Sequence, residues 1–375
     1  MRILYWCGLF WPRIGGAEVL AMHYVDALSA LGHEVLIVTD RNPASTPEEG
    51  LYGRVPIVRL PFVEVAASRD LPGVKRLSER VARIKSDFQP DIVHLNSTGL
   101  DSLFHALTLG ATSAPSVLTV HGLAMDYETS KGTLLERAIT SSNWVIGVSA
   151  AMLKIVTDLA PGIRGRSSVI LNALNEPGFD ETKDDQADAD SRFGLTVLCA
   201  GRLVPEKGVD LAIEACRQLL DEGVEARLVI AGEGPESARL KALAGPLVES
   251  GKCVFHGWVA PADVYEMIRA ASVVVVPSRW EEPFGLTALQ AGQCGRPVVA
   301  ARSGGLMEVV EDGVSGILFE KNDHRDLART LKRLAMNKAL RKSMGSAGYR
   351  RATELFSMNR FVKQHVELYK QLMVD

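Results

Sequence analysis

Short runs of β-branched and aliphatic residues alternate with stretches of helical spacing along almost the whole chain, and this alternation sets the fold class. RILYWC at 2–7, HEVLIVT at 33–39, DIVHLN at 91–96, SVLTVHG at 116–122, WVIGVS at 144–149 and SVILNAL at 168–174 read as strands, with a helix from Ala17 to Leu31. Strands separated by helical crossovers build a parallel α/β sheet. The pattern stops at EPGFDETKDDQADADSR, 176–192, which is acidic, lacks any apolar period and reads as an exposed linker. It restarts with LTVLCAG at 195–201, ARLVIAG at 226–232, KCVFHGW at 252–258, SVVVVPS at 272–278 and RPVVAA at 296–301. Two α/β domains follow, 1–175 and 193–355, and two similar halves imply a cleft. In 356–375, Phe361, Val362, His365, Val366, Tyr369 and Leu372 recur at helical spacing, so a terminal helix is expected to pack back on the N-terminal domain.

Composition narrows the function. With 47% apolar and 23% charged residues in 375, there is material for two cores, and general disorder is excluded. The net charge of −3 gives no global positive field, so a nucleic-acid partner is not expected. Five cysteines, Cys7, Cys199, Cys216, Cys253 and Cys294, lie singly without a CxxC pair, which points to reduced core thiols and a cytoplasmic location. The opening MRILYWCGLFWP, broken by Pro12, reads as a buried strand and not as a signal or spanning segment.

Candidate chemistry gathers where strands end, because open parallel sheets place ligands at their carboxyl edge. Gly15 and Gly16 precede the first helix and let backbone approach a ligand, although a bare tight turn needs the same glycines. His121 closes a strand before Gly122 and is a candidate for a polar substrate contact or a satisfied structural histidine. In GRLVPEKG, 201–208, Arg202 and Lys207 after Gly201 suit a pyrophosphate; alternatively the loop is solvated and Arg202 pairs with Glu206. GEGPE at 232–236, opened by Gly232, is a forced turn without the GKS or GKT of a phosphate loop.

The strongest segment is PSRWEEPFGLTALQAGQCGRPVV, 277–299. Glu282 lies on its loop, Gly285 opens a helix, and the free amides near Leu286 and Thr287 form an anion site. A carboxylate accepts from sugar hydroxyls and amides donate to phosphate, so this spacing can hold a sugar diphosphate by both ends. Gln290, one turn beyond Thr287, is placed for a ribose; the plainer alternative leaves it an ordinary helix residue and Glu281 or Glu282 a dipole partner. Asp188 and Asp190 spell DxD inside the acidic linker and are rejected as a metal site, and no other pattern supports metal ligation.

GGAE at 15–18, VHG at 120–122, GRLVPEKG, LVIAGEGPE, VFHGWV and EPFGLTALQA, in this order, resemble family 4 of the retaining glycosyltransferases across nearly the whole chain. The resemblance implies the GT-B architecture, two facing Rossmann-like domains with a deep interdomain cleft. The N-terminal domain would then serve the acceptor and the C-terminal domain a nucleoside diphosphate sugar, UDP or GDP favoured, with no other cofactor. It further implies that Arg202 and Lys207 bind the donor diphosphate in place of a metal and that Glu282 holds the sugar's hydroxyls beside the backbone of Phe284 and Gly285. Leu286 and Thr287 amides would meet phosphate, Gly16 would approach it from the other domain, and His121 would touch the sugar. Segments 232–235 and 256–259, with Gly232 and Val259, would flank the base. The family's Glu, seven residues, Glu pattern ends here on Gln290, which keeps an acceptor oxygen and loses the charge. Ala173, Asn175 and Met307 are smaller departures, expected to alter local turns.

In such enzymes the diphosphate departs while the acceptor hydroxyl attacks the same face, and the leaving phosphate takes the proton. Along 74–88, Val74, Leu77, Val81, Ile84 and Phe88 form an apolar stripe with Lys75, Arg76, Arg80, Arg83 and Lys85 expected largely outside it. Such a helix either packs with a solvated face or touches anionic lipid at the inner membrane surface. A GT-B epimerase lacks its acid/base set here; a non-catalytic nucleotide-sugar binder is the other alternative, motivated by Gln290.

Overall fold

The computed structural model describes residues 1–12, 15–68, 70–123, 133–175 and 194–374. The acidic linker expected at 176–192, with Asp188 and Asp190, lies outside the described residues. The chain divides into unit 1, Met1–Asn172 with Met358–Asp375, and unit 2, Ala173–Ser357.

Unit 1 holds β1 (Arg2–Cys7), β2 (Glu34–Asp40), β3 (Glu49–Tyr52), β4 (Val55–Leu60), β5 (Ile92–Leu95), β6 (Ser116–Val120), β7 (Trp144–Gly147) and β8 (Ser167–Val169). Their order in the sheet is β3-β4-β2-β1-β5-β6-β7-β8. All neighbours are parallel except β3 and β4, a hairpin turned at Gly53 with φ 57°. Ile3, Leu4, Ile37, Val93 and Val117 are fully buried, which explains why these strands read as continuous apolar runs.

Two sequence expectations change in unit 1. SVILNAL does not continue as a strand to 174: β8 pairs only with β7, from Ser167 opposite Val145 to Val169 opposite Gly147, and β7 ends there because Ser149 caps the next helix. Lys85 does not lie outside the apolar stripe of helix Leu71–Phe88 but is fully buried, eight residues from Leu77 and four from Val81 on the same face. Its ammonium donates to the carbonyls of His105 and Thr108 and to Thr108 Oγ1, at 3.3, 3.1 and 2.9 Å, and burial lowers its pKa to about 7. Of the other cations, Arg80 pairs with Glu48 and Glu49 and Arg76 with Asp70. No helix among the described residues is long and apolar enough to cross a membrane.

The terminal helix Met358–Leu372 belongs to unit 1 through a buried polar relay. Tyr369 Oη lies 2.7 Å from Tyr24 Oη and also meets His94 Nδ1, while His94 Nε2 lies 2.8 Å from Thr119 Oγ1. Phe361 packs edge-on against Tyr24 at 5.2 Å. Satisfying these polar groups on one another makes the docking specific, since an unpartnered hydroxyl or imidazole there would be costly.

Unit 2 holds β9 (Leu195–Ala200), β10 (Ala226–Ala231), β11 (Cys253–Gly257), β12 (Val273–Val276), β13 (Val298–Ala301) and β14 (Gly316–Phe319). The order is β11-β10-β9-β12-β13-β14, parallel throughout. The chain moves outward from β9 to β11, then crosses back to β12 and moves the other way. The reversal point is the gap between β9 and β12.

Candidate functional site

In a parallel sheet, the loops on either side of such a reversal diverge and leave a crevice at the carboxyl edge. In unit 2 those loops are 201–208 after β9 and 277–285 after β12, and they are clasped together. Arg279 N donates to Glu206 O and its guanidinium to Asp210 Oδ2, both at 2.7 Å. Gly208, with φ 62°, lets Pro277 O pass where a Cβ would stand 2.2 Å away.

This clasp brings Lys207 onto Glu282, with Nζ 2.8 Å from both Oε1 and Oε2. Glu282 is 8% exposed, and its Oε2 also accepts from Ser278 Oγ at 2.6 Å and Trp280 Nε1 at 2.9 Å. Burial by itself would raise this carboxyl's pKa; Lys207, the serine and the indole more than reverse it and hold the pKa below its ordinary value. Lys207 also lies 5.4 Å from the centre of the Trp280 ring. Two of its three protons face Glu282, leaving one for a ligand. Arg202 is exposed and has no side-chain partner among the described residues, so the alternative pairing with Glu206 does not form.

The helix Leu286–Gln293 starts directly after this pair. Its cap, Gly285, has φ 106°, which favours glycine, and a Cβ there would displace the Leu306 side chain, whose Cδ2 lies 2.5 Å away. Phe284 turns its ring into the core, 2% exposed and edge-on to Phe356 at 5.6 Å. Leu286 and Thr287 are half-buried at the helix opening, with Thr287 Oγ1 3.5 Å from Ala200 O. Gln290 is half-buried, with its amide facing the Tyr265 hydroxyl, which donates to Gln293 Oε1 at 3.0 Å. Gly201 and Gly232 abut so closely that a Cβ on Gly232 would stand 1.9 Å from Gly201 O. Val259 is half-buried on the loop after β11.

A brace that the sequence reading missed holds the loop from behind. Gly305 N donates to Glu282 O at 2.7 Å, Gly304 N to Glu281 Oε2 at 2.9 Å, and Ser303 Oγ to Trp280 O. The signal was the Ser-Gly-Gly after β13, since a Cβ at Gly304 would meet Glu282 O at 2.3 Å.

In unit 1 the reversal lies between β1 and β5. Gly15 caps helix Gly16–Ala30, and a Cβ on it would meet Glu18 Oε2 at 2.4 Å. His121 follows β6 and lines a cavity of about 250 Å³. Its Nε2 lies 2.7 Å from Asn96 Oδ1, and burial lowers its pKa to about 4, so the ring is neutral at pH 7. Among the described residues, no three His, Cys, Asp or Glu side chains converge as a metal site.

Residues 14–176 match the Glycosyltransferase Family 4 model and 182–351 the Glycosyl transferases group 1 model. A D-inositol 3-phosphate glycosyltransferase from Nocardioides sp. is 37% identical, over 96% of this chain and 86% of its own. The chain belongs to glycosyltransferase family 4. The enzyme of the same name from Frankia alni is 32% identical over 90% of both chains. Among solved structures, sucrose-phosphate synthase from Thermosynechococcus elongatus superposes with a TM-score of 0.83 at 20% identity, covering 100% of both chains. Anabaena HepE in complex with UDP-glucose gives 0.79 at 21% identity, covering 99% of this chain and 100% of its own. These neighbours establish the GT-B type of fold for this family-4 glycosyltransferase.

Proposed function

We propose that this glycosyltransferase moves a hexosyl group, with retention and without a metal, from a nucleoside diphosphate sugar held by unit 2 to a hydroxyl acceptor held by unit 1. The observation that carries the reading is the exposed Arg202 guanidinium, without a side-chain partner among the described residues, on the same loop after β9 as a Lys207 that Glu282 orients just ahead of helix Leu286–Gln293. Negative charge grows on the diphosphate as the glycosidic bond breaks. A guanidinium, an ammonium held in place by Glu282 and the fixed helix amides stabilise that charge. The acceptor hydroxyl gives its proton to the leaving phosphate as it attacks the anomeric carbon.

Glu282 in this reading is first a positioning residue for Lys207. Its Oε1, which meets Lys207 alone, retains capacity for a sugar hydroxyl. Gly16, Gly201 and Gly232 allow close backbone approach, Phe284 and Gly285 offer backbone to the sugar, and Val259 and Gln290 lie toward base and ribose. His121, neutral, contributes a hydrogen bond and no proton. UDP is favoured by the UDP-glucose complex of HepE, and the relatives named for D-inositol 3-phosphate suggest a polyol ring, attacked through a hydroxyl, as the kind of acceptor. A cytoplasmic location belongs to the same proposal and is supported by five buried, free thiols. Lipid contact through 74–88 would rest mainly on Lys75 and Arg83, and binding to anionic liposomes at low salt tests it.

Thermal shift with UDP- and GDP-sugars is the direct test. A ligand at 100 times its dissociation constant adds about 2.7 kcal/mol, a clear rise in melting temperature. Crystals soaked with such a donor whose phosphates lie away from 202, 207 and 286 would overturn the reading. Tight donor binding with no transfer or hydrolysis would favour the non-catalytic binder.

A further inference from the structure

The cavity in unit 1 has a chemistry of its own. It opens at the β1/β5 reversal and is walled by Glu18, Asn96, Ser97, Thr98 and His121 among others, and no Lys or Arg lines it among the described residues. Its polar groups mostly accept. With Asn96 Oδ1 taken by His121 Nε2, His121 Nδ1 is left as an acceptor and the Asn96 amide nitrogen as a donor. Thr98 Oγ1 gives its proton to Gly122 O at 3.3 Å and presents lone pairs. Ser97 Oγ gives its proton to Asp101 Oδ1 at 3.0 Å.

The charge is negative. Asp101, 3% exposed with Oδ2 unpartnered, stands behind Ser97, and Glu18 stands in the wall. The Glu18 carboxylate folds against Gly15 in the first turn of helix Gly16–Ala30 and puts a negative charge on that side of the wall. Burial raises the pKa of the Cys7 thiol, another wall residue, and its closeness to Asp101 and Glu18 raises it further.

We propose that this cavity takes an uncharged polyhydroxylated acceptor and that Glu18 sets the selectivity by turning away acceptors that carry a phosphate. Every hydroxyl of a polyol or sugar is a donor for these acceptor groups, whereas a phosphate dianion offers none and meets two carboxylates with no cation among the described wall residues. The inference rests on the transferase reading and names its acceptor class: the ring hydroxyls, not a phosphate, are what the protein recognises.

The test uses the full chain saturated with UDP or GDP, with saturation-transfer NMR on matched probes: methyl glucoside against glucose 6-phosphate, mannose against mannose 6-phosphate, and myo-inositol against its monophosphate. The expected result is binding of at least one neutral member at least tenfold tighter than its phosphate at low ionic strength. Glu18→Gln should narrow that gap at least fivefold by improving the phosphorylated member, an effect that a merely structural role of Glu18 would not produce. A panel in which phosphorylated members bind as well or better, in which all neutral members are silent, or in which Glu18→Gln leaves the ratio unchanged overturns the proposal. Failure of both nucleotides to raise the melting temperature beforehand would instead count against the transferase reading, and the polyol comparison can still be read on the free chain.

Discussion

The strand-end loops of the two units occupy the same topological position in their own sheets and carry opposite chemistry. In unit 2, the loops after β9 and β12 are locked by glycines and an ion pair, and the Arg202 guanidinium has no side-chain partner among the described residues. In unit 1, the loops after β1 and β5 enclose an open cavity with a carboxylate in its wall, a neutral histidine and a buried aspartate behind. A parallel sheet supplies the place for a ligand, and the loop residues alone decide which charge that place accepts. On the proposed reading, one scaffold holds an anionic leaving group in one unit and an uncharged attacking group in the other without exchanging them.

The largest effect should come from removing unit 2's cations. Lys207→Ala and Arg202→Ala are each expected to lower kcat/KM by about 100-fold or more, since each loses charge stabilisation developed in the transition state. Lys207→Ala also strands Glu282 as a buried carboxylate without its cation, so it should lose about 1–3 kcal/mol of stability, and Arg202→Ala, at an exposed position with no side-chain partner among the described residues, should lose almost none. Steady-state kinetics alongside chemical denaturation separates the two, and turnover near wild type in either variant would break the comparison at its stronger side.

Next come the glycines that make unit 2's loops tight. Gly232→Ala places a Cβ in a backbone of φ 141° and against Gly201 O, and should cost at least about 2 kcal/mol. Gly110→Ala in unit 1, where a Cβ meets nothing within 4 Å, is the control and should change little. Equal melting temperatures for the two would show that the packing of the loop after β10 on the loop after β9 is softer than its geometry.

These contacts also show what could be read from the chain before folding. The α/β alternation, the strand ends and the Glu282-to-Thr287 segment are local patterns, and local patterns survive in a sequence. The Lys207–Glu282 pair is not local: 75 residues separate the two, and they meet only because the crossover returns the chain to the other side of β9. The β3–β4 hairpin was missed because EGLY is too short and mixed to show a period of two. Lys85 was misplaced although its spacing from Val81 marked the buried face, because a cation there is legible only once the His105 and Thr108 carbonyls that receive it are known.

In unit 1 the buried Asp101 sharpens the contrast through pH. Burial pushes its pKa up to about 6, against the Ser97 hydrogen bond. A folded-state pKa above the unfolded value means that the contribution to stability is complete below about pH 4 and is lost as pH rises through about 6. Asp101→Asn keeps an acceptor for Ser97 and removes the buried charge, so it should gain roughly 2 kcal/mol at pH 8 and almost nothing at pH 4. Glu282, with its pKa held down, runs the opposite way and loses its contribution only as pH falls below the ordinary carboxylate range. Denaturation curves at both pH values check the sign, and an Asp101→Asn variant less stable at pH 8 would mean that the cavity floor needs its charge.

The smallest effect belongs to Gln290, the one position where unit 2 departs from the family's paired glutamates. Gln290→Glu restores a charge-assisted bond to a ribose hydroxyl, worth about 1 kcal/mol. That contact is the same in ground and transition states, so donor KM should fall about fivefold while kcat stays level. A KM that is unchanged or higher would mean that the Gln290 amide is committed to the Tyr265 hydroxyl it faces and that the ribose is held from elsewhere on the sheet edge.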